Sequence, residues 1–126
     1  MKFIFDENIS VNIARALKLL RLPVLNVQDQ YGKGTRDEVL LPSVGQRQLI
    51  FVTWDGGIRA EPAQRLILEV NGVTAVFMHT GLLHEGFHKQ ALWFLKNWEK
   101  MVAALEGAPP GASFRATTRG KVLPMR

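Results

Sequence analysis

Four short apolar runs, separated by stretches with helical periodicity, constrain the fold of this chain more than any other feature. The runs are residues 2–5, 23–27, 49–53 and 73–78, and each is rich in β-branched or aromatic side chains. They are continuous rather than alternating, which is typical of strands in a parallel sheet that is covered on both faces. Strands that alternate with helices predict an α/β sheet with right-handed crossovers.

The intervals between the first three runs carry helical patterns. Ser10 is a good N-cap for the first helix. The apolar residues that recur on one face of that helix are Ile13, Ala16, Leu17 and Leu20. Residues 36–47 predict a weaker helix, because Pro42 and Gly45 limit any helix there.

Two more helices are predicted after the third run. The first begins near Pro62, which suits a first helical turn, and ends at Asn71 and Gly72. The apolar residues that it is expected to present to the core are Leu66, Ile67 and Val70. The longest helix covers about residues 86–105. Its apolar stripe consists of Phe87, Ala91, Phe94, Leu95, Trp98, Met101, Val102 and Leu105.

Length and composition predict one domain with a basic ending. The 126 residues suit a single hydrophobic core, and no apolar run approaches the length of a membrane span, so we expect a cytoplasmic protein. The predicted domain covers residues 1–106, and residues 107–126 form a basic extension with an edge strand expected near 113–118. The extension contains four basic residues and no acidic one, namely Arg115, Arg119, Lys121 and Arg126. Such an ending steers some proteins to nucleic acid or to an acidic partner, although a solubilising end fits equally well.

Two aspartates follow strands that we expect to be neighbours. Asp6 directly follows the first run, and Asp55 follows the third. Ligands of open parallel sheets gather outside the carboxyl ends of the strands, so both carboxylates are expected in one crevice. Two nearby carboxylates repel each other unless a cation or a shared proton separates them. Because the chain has no cysteine, the expected partner is Mg²⁺ or Mn²⁺ with oxygen ligands.

Asp37 adds a third carboxylate to this expected site. It stands at the start of the weak second helix, with Glu38 beside it, and a loop entering there can reach the same strand ends. Three carboxylates at one edge would hold one or two metal ions, which activate water and neutralise charge on a phosphodiester. The pattern therefore indicates metal-assisted phosphodiester hydrolysis.

Each aspartate also has a purely structural interpretation. Asp6 or Asn8 would cap the first helix, Asp37 would cap the second, and Asp55 would shape a turn. The coincidence of acidic residues at matching strand ends favours a functional site over these alternatives.

The remaining candidates are better explained by structure than by chemistry. His79, His84 and His88 lack an acidic or thiol partner at metal-ligand spacing, so ordinary surface histidines are expected. Trp93 and Trp98 fit the apolar stripe of the long helix, so core packing is expected for both.

Three blocks of the sequence resemble PIN-like proteins. They are Phe3-Ile-Phe-Asp-Glu-Asn-Ile-Ser10, Gly34-Thr-Arg-Asp-Glu38 and Ile50-Phe-Val-Thr-Trp-Asp-Gly-Gly-Ile58, and the likeness spans roughly residues 2–105. The chain looks most similar to the small bacterial toxin-type branch related to VapC ribonucleases. The resemblance implies a three-layer α/β/α sandwich with a mostly parallel central sheet and Mg²⁺- or Mn²⁺-dependent endoribonuclease activity. Many such proteins are toxins silenced by a cognate antitoxin protein.

The resemblance also implies the site residues. Asp6, Asp37 and Asp55 fall on the family's metal-binding acids, with Glu38 as a substitute for Asp37 if the register slips by one. Many relatives carry a further acid at the position of Gly57, and this chain does not.

Three functions remain as hypotheses. The first is a ribonuclease toxin that acts on RNA, and the second is a catalytically degenerate PIN-like binding module, which the missing acid at Gly57 motivates. The third is a phospho-accepting receiver domain with acidic residues at Asp6 and Asp55 and a hydroxyl at Thr80. It lacks a suitably placed lysine, since Lys121 lies beyond the Pro-Pro break. Exposed aromatic residues on the long helix would suit a homodimer or an antitoxin.

Overall fold

Strands and helices alternate along the chain as the apolar pattern predicts. The computed structural model describes residues 1–54 and 61–125. The strands are β1 (Phe3–Phe5), β2 (Val24–Asn26), β3 (Ile50–Trp54), β4 (Ala75–Met78), β5 (Ser113–Ala116) and β6 (Val122–Pro124). The helices are α1 (Val11–Leu19), α2 (Val27–Tyr31), α3 (Asp37–Gln46), α4 (Pro62–Val70), α5 (Thr80–Leu83) and α6 (Phe87–Leu105).

The strands form one sheet in the order β2-β1-β3-β4-β5-β6. Neighbouring strands are parallel from β2 through β5, and β6 runs antiparallel to β5. Phe5 pairs with Asn26 on one side and with Val52 on the other, so the ends of β1, β2 and β3 are level. The expected mostly parallel sheet is therefore confirmed.

Helices cover both faces of this sheet, because successive strand residues point to opposite sides. On one side, Phe3 and Phe5 pack in a core cluster with residues of α1, α5 and α6. On the other side, Ile4 and Phe51 pack with residues of α2, α3 and α4. This arrangement is the three-layer α/β/α sandwich that the sequence predicts.

Aromatic side chains of α6 fill the first of these clusters. The ring centroids of Phe3 and Trp98 lie 4.7 Å apart, and those of Phe5 and Phe94 lie 4.8 Å apart. Trp93 is also buried and meets the edge of Phe94. Core packing of both tryptophans is thus confirmed.

Two members of the predicted α6 stripe do not belong to the core. Phe87 is 48% exposed and Leu95 is 42% exposed. Gln90 and Asn97 are buried instead, and each donates a side-chain hydrogen bond to a backbone carbonyl. The apolar pattern was misleading here because a polar side chain with a partner can also occupy an interior position.

The predicted orientation of α4 is wrong. Leu66, Ile67 and Val70 are exposed, and Leu68 is the residue of this helix that packs against the sheet. Residues two apart on a helix lie about 160° apart around its axis, so burying Leu68 turns Leu66 and Val70 outward. The predicted helix itself is confirmed, with Pro62 in its first turn.

Three short elements were not predicted. Helices α2 and α5 have five and four residues, which is too short for a helical period to show. Strand β6 contains Pro124 and lies at the end of the sheet, where a missing N–H is tolerated. Consequently the strand expected near 113–118 exists as β5, but β6 and not β5 is the edge strand.

The sheet continues through residues that the sequence assigned to a basic extension, because β5 and β6 pair with it. The boundary at residue 107 remains a prediction. Within residues 1–54 and 61–125, no helix combines the length and apolarity needed to cross a membrane.

Candidate functional site

The carboxyl ends of β1 and β3 lie side by side, as the proposed site requires. Phe5 pairs with Val52, and the backbone N–H of Asp6 donates to the Val52 carbonyl over 2.9 Å. Asp6 therefore stands next to Thr53 at the end of the paired segment. Its side chain is almost entirely buried, with 6% of the residue exposed.

Two donors fix the orientation of the Asp6 carboxylate. The Thr53 hydroxyl donates to Oδ2 over 2.8 Å, and the Glu7 backbone N–H donates to Oδ1 over 2.8 Å. Thr53 is completely buried, and its hydroxyl lies closer to the Asp6 carboxylate than to its alternative acceptor, Asn8 Oδ1, at 3.3 Å. A buried carboxylate held in this way is placed by the neighbouring strand as well as by its own.

Asn8 extends this network between the two strand ends. Its side-chain amide donates to the Thr53 hydroxyl oxygen over 3.0 Å, and its backbone carbonyl accepts from the Trp54 indole N–H over 2.9 Å. Sequence reasoning did not identify Thr53, Asn8 and Trp54 as positioning residues. Contacts between residues more than 40 positions apart leave no periodic pattern in a sequence. The signal that could have identified these residues is that they lie in the same sequence blocks as Asp6 and Asp55.

Glu7 connects the end of β1 to the turn that precedes α3. Its Oε1 accepts a hydrogen bond from the Gly34 backbone N–H over 2.7 Å. The Thr35 hydroxyl closes the same turn by donating to the Tyr31 and Gly32 carbonyls. This contact ties the turn three residues before Asp37 to the residue that follows Asp6.

Asp37 is the first residue of α3 and is half-buried. The N-cap of α3 is Arg36, and the N-cap of α1 is Ser10, whose hydroxyl accepts from the Asn12 backbone N–H over 3.3 Å. The structural interpretation of Asp6 and Asp37 as helix caps is therefore wrong.

Asp55 and Gly57 lie outside the described residues, which stop at Trp54 and resume at Glu61. The role of Asp55 therefore remains a prediction, based on its position next to Trp54 in the sequence. Among residues 1–54 and 61–125, no group of three or more histidine, aspartate or glutamate side chains is placed to hold a metal ion. The carboxylate oxygens of Asp6 and Asp37 are hard ligands of the kind that suits Mg²⁺ or Mn²⁺.

The histidines lie on the surface, His79 and His84 at the two ends of α5 and His88 in the first turn of α6. The Nδ1 atom of His79 accepts a hydrogen bond from the Gly81 backbone N–H, so it caps α5. His84 and His88 are exposed.

A separate charged pair near β2 has a structural role. The Arg15 guanidinium donates to the Asp29 carboxylate over 2.7 Å. The hydrogen bond from Arg15, and to a smaller extent the one from Asn26, lowers the pKa of the Asp29 carboxyl to about 2. The pair joins α1 to α2 and contributes nothing to the carboxyl edge of β1 and β3.

The chain is a three-layer α/β/α domain with Asp6 at the carboxyl end of β1. A family model described as a PIN-like domain matches residues 1–80, which include all three sequence blocks. The chain belongs to the PIN-like domain family. Searches of curated proteins and of solved structures found no match.

Membership has general consequences for function. PIN domains are generally nucleases, typically use divalent metal ions and commonly bind RNA, and many have antitoxin partners. The narrower likeness to the VapC-related branch remains a prediction, because the family match does not reach that level.

Proposed function

We propose that this protein is a metal-dependent endoribonuclease that acts as the toxin of a toxin–antitoxin pair. The observation that carries the proposal is the buried Asp6 carboxylate, oriented by Thr53 at the shared carboxyl edge of β1 and β3 in a PIN-like domain. Asp55 follows β3 directly in the sequence, so the neighbouring strand leads to the second acid.

Asp6, Asp37 and Asp55 would hold Mg²⁺ or Mn²⁺ in this proposal. When bound, the ion would supply a water molecule of lowered pKa and neutralise charge on the phosphodiester. Thr53 and the Glu7 backbone N–H keep the Asp6 carboxylate in one orientation. The Glu7 side chain holds the Gly34 turn, and thereby the start of α3, against the same edge.

The proposed partners are an RNA substrate, a cognate antitoxin protein and a second copy of the chain, with the protein in the cytoplasm. The protein partners are motivated by exposed apolar side chains on α6, since sites of protein association form where such side chains make a contiguous patch. Those on α6 are Phe87, Leu92 and Leu95.

RNA cleavage by aspartate variants tests the proposal. Asp6→Asn and Asp55→Asn should each lower the rate of Mn²⁺-dependent cleavage by about 10³-fold, since loss of metal-assisted charge stabilisation costs several kcal/mol in the transition state. Glu99→Gln, an exposed acid on α6, is the matched control and should cleave at the wild-type rate. Circular dichroism establishes that the variants fold. Wild-type cleavage by both aspartate variants, or cleavage unaffected by a chelator, contradicts the proposal.

A catalytically degenerate PIN-like module is the second candidate, because Gly57 stands where many relatives have an acid. Titration with Mn²⁺ separates the two candidates. Saturable binding that is lost in Asp6→Asn supports the nuclease, whereas RNA binding by a protein that binds no Mn²⁺ supports the module.

One structural observation favours the receiver hypothesis, although the family match favours a PIN-like nuclease. The first five strands have the order 2-1-3-4-5, which is one of the common doubly wound orders. Lys121 follows β5 by five residues. The argument that it is not suitably placed because it lies beyond the Pro-Pro break was therefore wrong. Incubation with acetyl phosphate is the test: stable phosphorylation of Asp55 would overturn the nuclease proposal.

A further inference from the structure

A groove lies between α6 and the turn that joins β5 to β6. It has a volume of about 350 Å³ and is open to solvent along one side. The residues that line it are Leu82, Glu85, Lys89, Leu92, Trp93, Lys96, Asn97, Thr118 and Arg119. None of these side chains takes part in the proposed metal site, and none has a role in the resemblance described above.

The groove is positively charged. Lys89, Lys96 and Arg119 carry three positive charges against the single negative charge of Glu85. Lys89 and Lys96 are seven residues apart on α6, so they stand on the same face about two helical turns, or roughly 10 Å, from each other. Arg119 adds a third cation from the opposite wall, and all three side chains are exposed.

The wall that presents Arg119 is held firmly against α6. The Trp93 indole N–H donates to the Thr117 carbonyl over 2.9 Å. The turn is closed by hydrogen bonds from the Gly120 backbone N–H to the Thr117 carbonyl and from the Lys121 backbone N–H to the Thr117 hydroxyl. Arg119 therefore stands on a preformed turn, and little conformational entropy of the backbone is lost when it binds an anion.

Asn97 and Gly120 explain how the turn approaches the helix so closely. Gly120 is buried with φ +96°, and a Cβ there would collide with the Asn97 Oδ1 and lie 2.7 Å from its Cγ. Asn97 is itself buried and donates to the Trp93 carbonyl over 2.9 Å, so moving it aside would break this hydrogen bond. The groove is thus a built feature of the fold.

The groove opens at the same edge of the sheet as Asp6. Leu82 belongs to the segment after β4, and Thr118 and Arg119 belong to the segment after β5. Because β1, β3, β4 and β5 are parallel neighbours, their carboxyl ends form one continuous edge. With strands spaced by about 4.8 Å, β5 lies about 14 Å from β1 along that edge.

We propose that this groove binds the phosphate backbone of single-stranded RNA a few nucleotides away from the bond to be cut. The inference rests on the proposed function for the identity of the substrate. It adds the surface along which the RNA strand continues beyond the metal site. Three cations line this one groove, whose mouth lies at the carboxyl edge of the sheet, and they match the negative charge of a nucleic-acid strand. Leu92, 56% exposed between the two lysines, gives an apolar surface for a base or ribose.

Binding of a fluorescein-labelled single-stranded RNA in the presence of a chelator tests the groove without cleavage. The variant has Lys89→Gln, Lys96→Gln and Arg119→Gln. The matched control has Lys2→Gln, Lys18→Gln and Arg21→Gln, which removes the same charge from exposed positions elsewhere on the molecule. Fluorescence anisotropy gives the affinity at several salt concentrations.

The groove variant should bind RNA about 10- to 100-fold more weakly near 0.1 M salt. The negative slope of log K against log salt should become shallower by about 2, as expected for three lost phosphate contacts. The control should lose much less affinity. In the cleavage assay the groove variant should raise KM and leave kcat unchanged. Loss of kcat in Asp6→Asn with wild-type RNA affinity would show that the two sites act separately.

Equal loss of affinity in both triple variants would overturn the proposal, because net charge alone would then explain binding. The alternative occupant is an acidic protein segment. In that case the two triple variants would bind RNA equally, and the groove variant alone would lose binding to polyglutamate. This result too would overturn the proposal. If wild-type protein shows no cleavage but the groove variant still loses RNA affinity, the nuclease proposal fails and the groove proposal stands.

Discussion

The two halves of the carboxyl edge of the sheet are built differently. At β1 and β3 the key group is one buried carboxylate, Asp6, which is held by hydrogen bonds from Thr53 and Glu7. At β4 and β5 the key groups are exposed cations on α6 and on a turn, with Lys89 as an example. The acidic half is therefore made by strand ends, and the basic half is made by the packing of a helix against a turn.

The difference follows from the cost of burying charge. A buried carboxylate requires donors in fixed positions, so its neighbours must be supplied by the sheet itself. Exposed lysines stay solvated and need only a scaffold that keeps them together. We expect the acidic half to be sensitive to single buried substitutions, whereas the basic half should be sensitive to its scaffold and to the number of its cations.

The largest stability effect should come from Gly120→Ala in the basic half. The new Cβ meets the buried, hydrogen-bonded Asn97 side chain in a left-handed backbone conformation, so we expect a loss of about 3 kcal/mol in the free energy of unfolding. RNA affinity should fall as well, because the turn that carries Arg119 is displaced. Chemical denaturation and anisotropy measure the two effects.

Gly107→Ala is the control for this substitution. Gly107 also has a positive φ, +75°, but a Cβ there would have no neighbour within 4 Å. The strained backbone alone should cost about 1 kcal/mol. If the two alanine variants are equally stable, the close contact with Asn97 does not hold the turn.

A smaller effect is expected for Thr53→Val in the acidic half. Valine has nearly the same shape, but it removes the donor to the Asp6 carboxylate, so we expect a loss of about 1–2 kcal/mol in the free energy of unfolding. RNA cleavage should also slow, while RNA affinity in a chelator stays the same. Thr74→Val is the control, since the Thr74 hydroxyl lies at the opposite end of the sheet and makes only a 3.4 Å contact with the Pro109 carbonyl. Similar cleavage by both valine variants would show that Thr53 does not position Asp6.

The smallest effect concerns Asp29, which belongs to neither half. Its pKa is lowered from 3.8 to about 2 in the folded protein, so its contribution to stability is complete above about pH 4 and is lost as the pH falls toward 2. Asp29→Asn should remove this part of the acid sensitivity and leave RNA affinity and cleavage unchanged at neutral pH. Denaturation curves at several pH values between 2 and 5 provide the measurement. An unchanged pH profile would show that the Arg15 contact is not maintained in solution.

Much of the architecture follows from local patterns. The four apolar runs correspond to β1 through β4, and Ser10 and Pro62 begin their helices as expected. The neighbouring positions of the first and third strands, on which the metal-site prediction depends, are also confirmed. These features depend on periodicity and on cap chemistry, which are local properties of a sequence.

Other features depend on contacts between distant residues. The outward rotation of α4, the burial of Asn97 and the position of β5 inside the sheet all contradict or extend the simple apolar pattern. For α4 and β5 the deciding partners are remote in the sequence, and Asn97 lies against the distant Gly120 although its hydrogen bond goes to the nearby Trp93. A helix with apolar residues on two faces can turn either one inward, and only the opposing surface decides which face is buried.

The sequence by itself determined the α/β class, strands β1 through β4 and the position of Asp6 at a strand end, because each depends on the order of apolar and polar residues nearby. It also identified the family that the match over residues 1–80 establishes. The tertiary structure alone decided which donors hold Asp6 and how α6 and the β5–β6 turn bring three cations together. The contact of Thr53 with Asp6 joins residues 47 positions apart, and that of Trp93 with Thr117 joins residues 24 positions apart, so both arise only when the sheet and the helices pack.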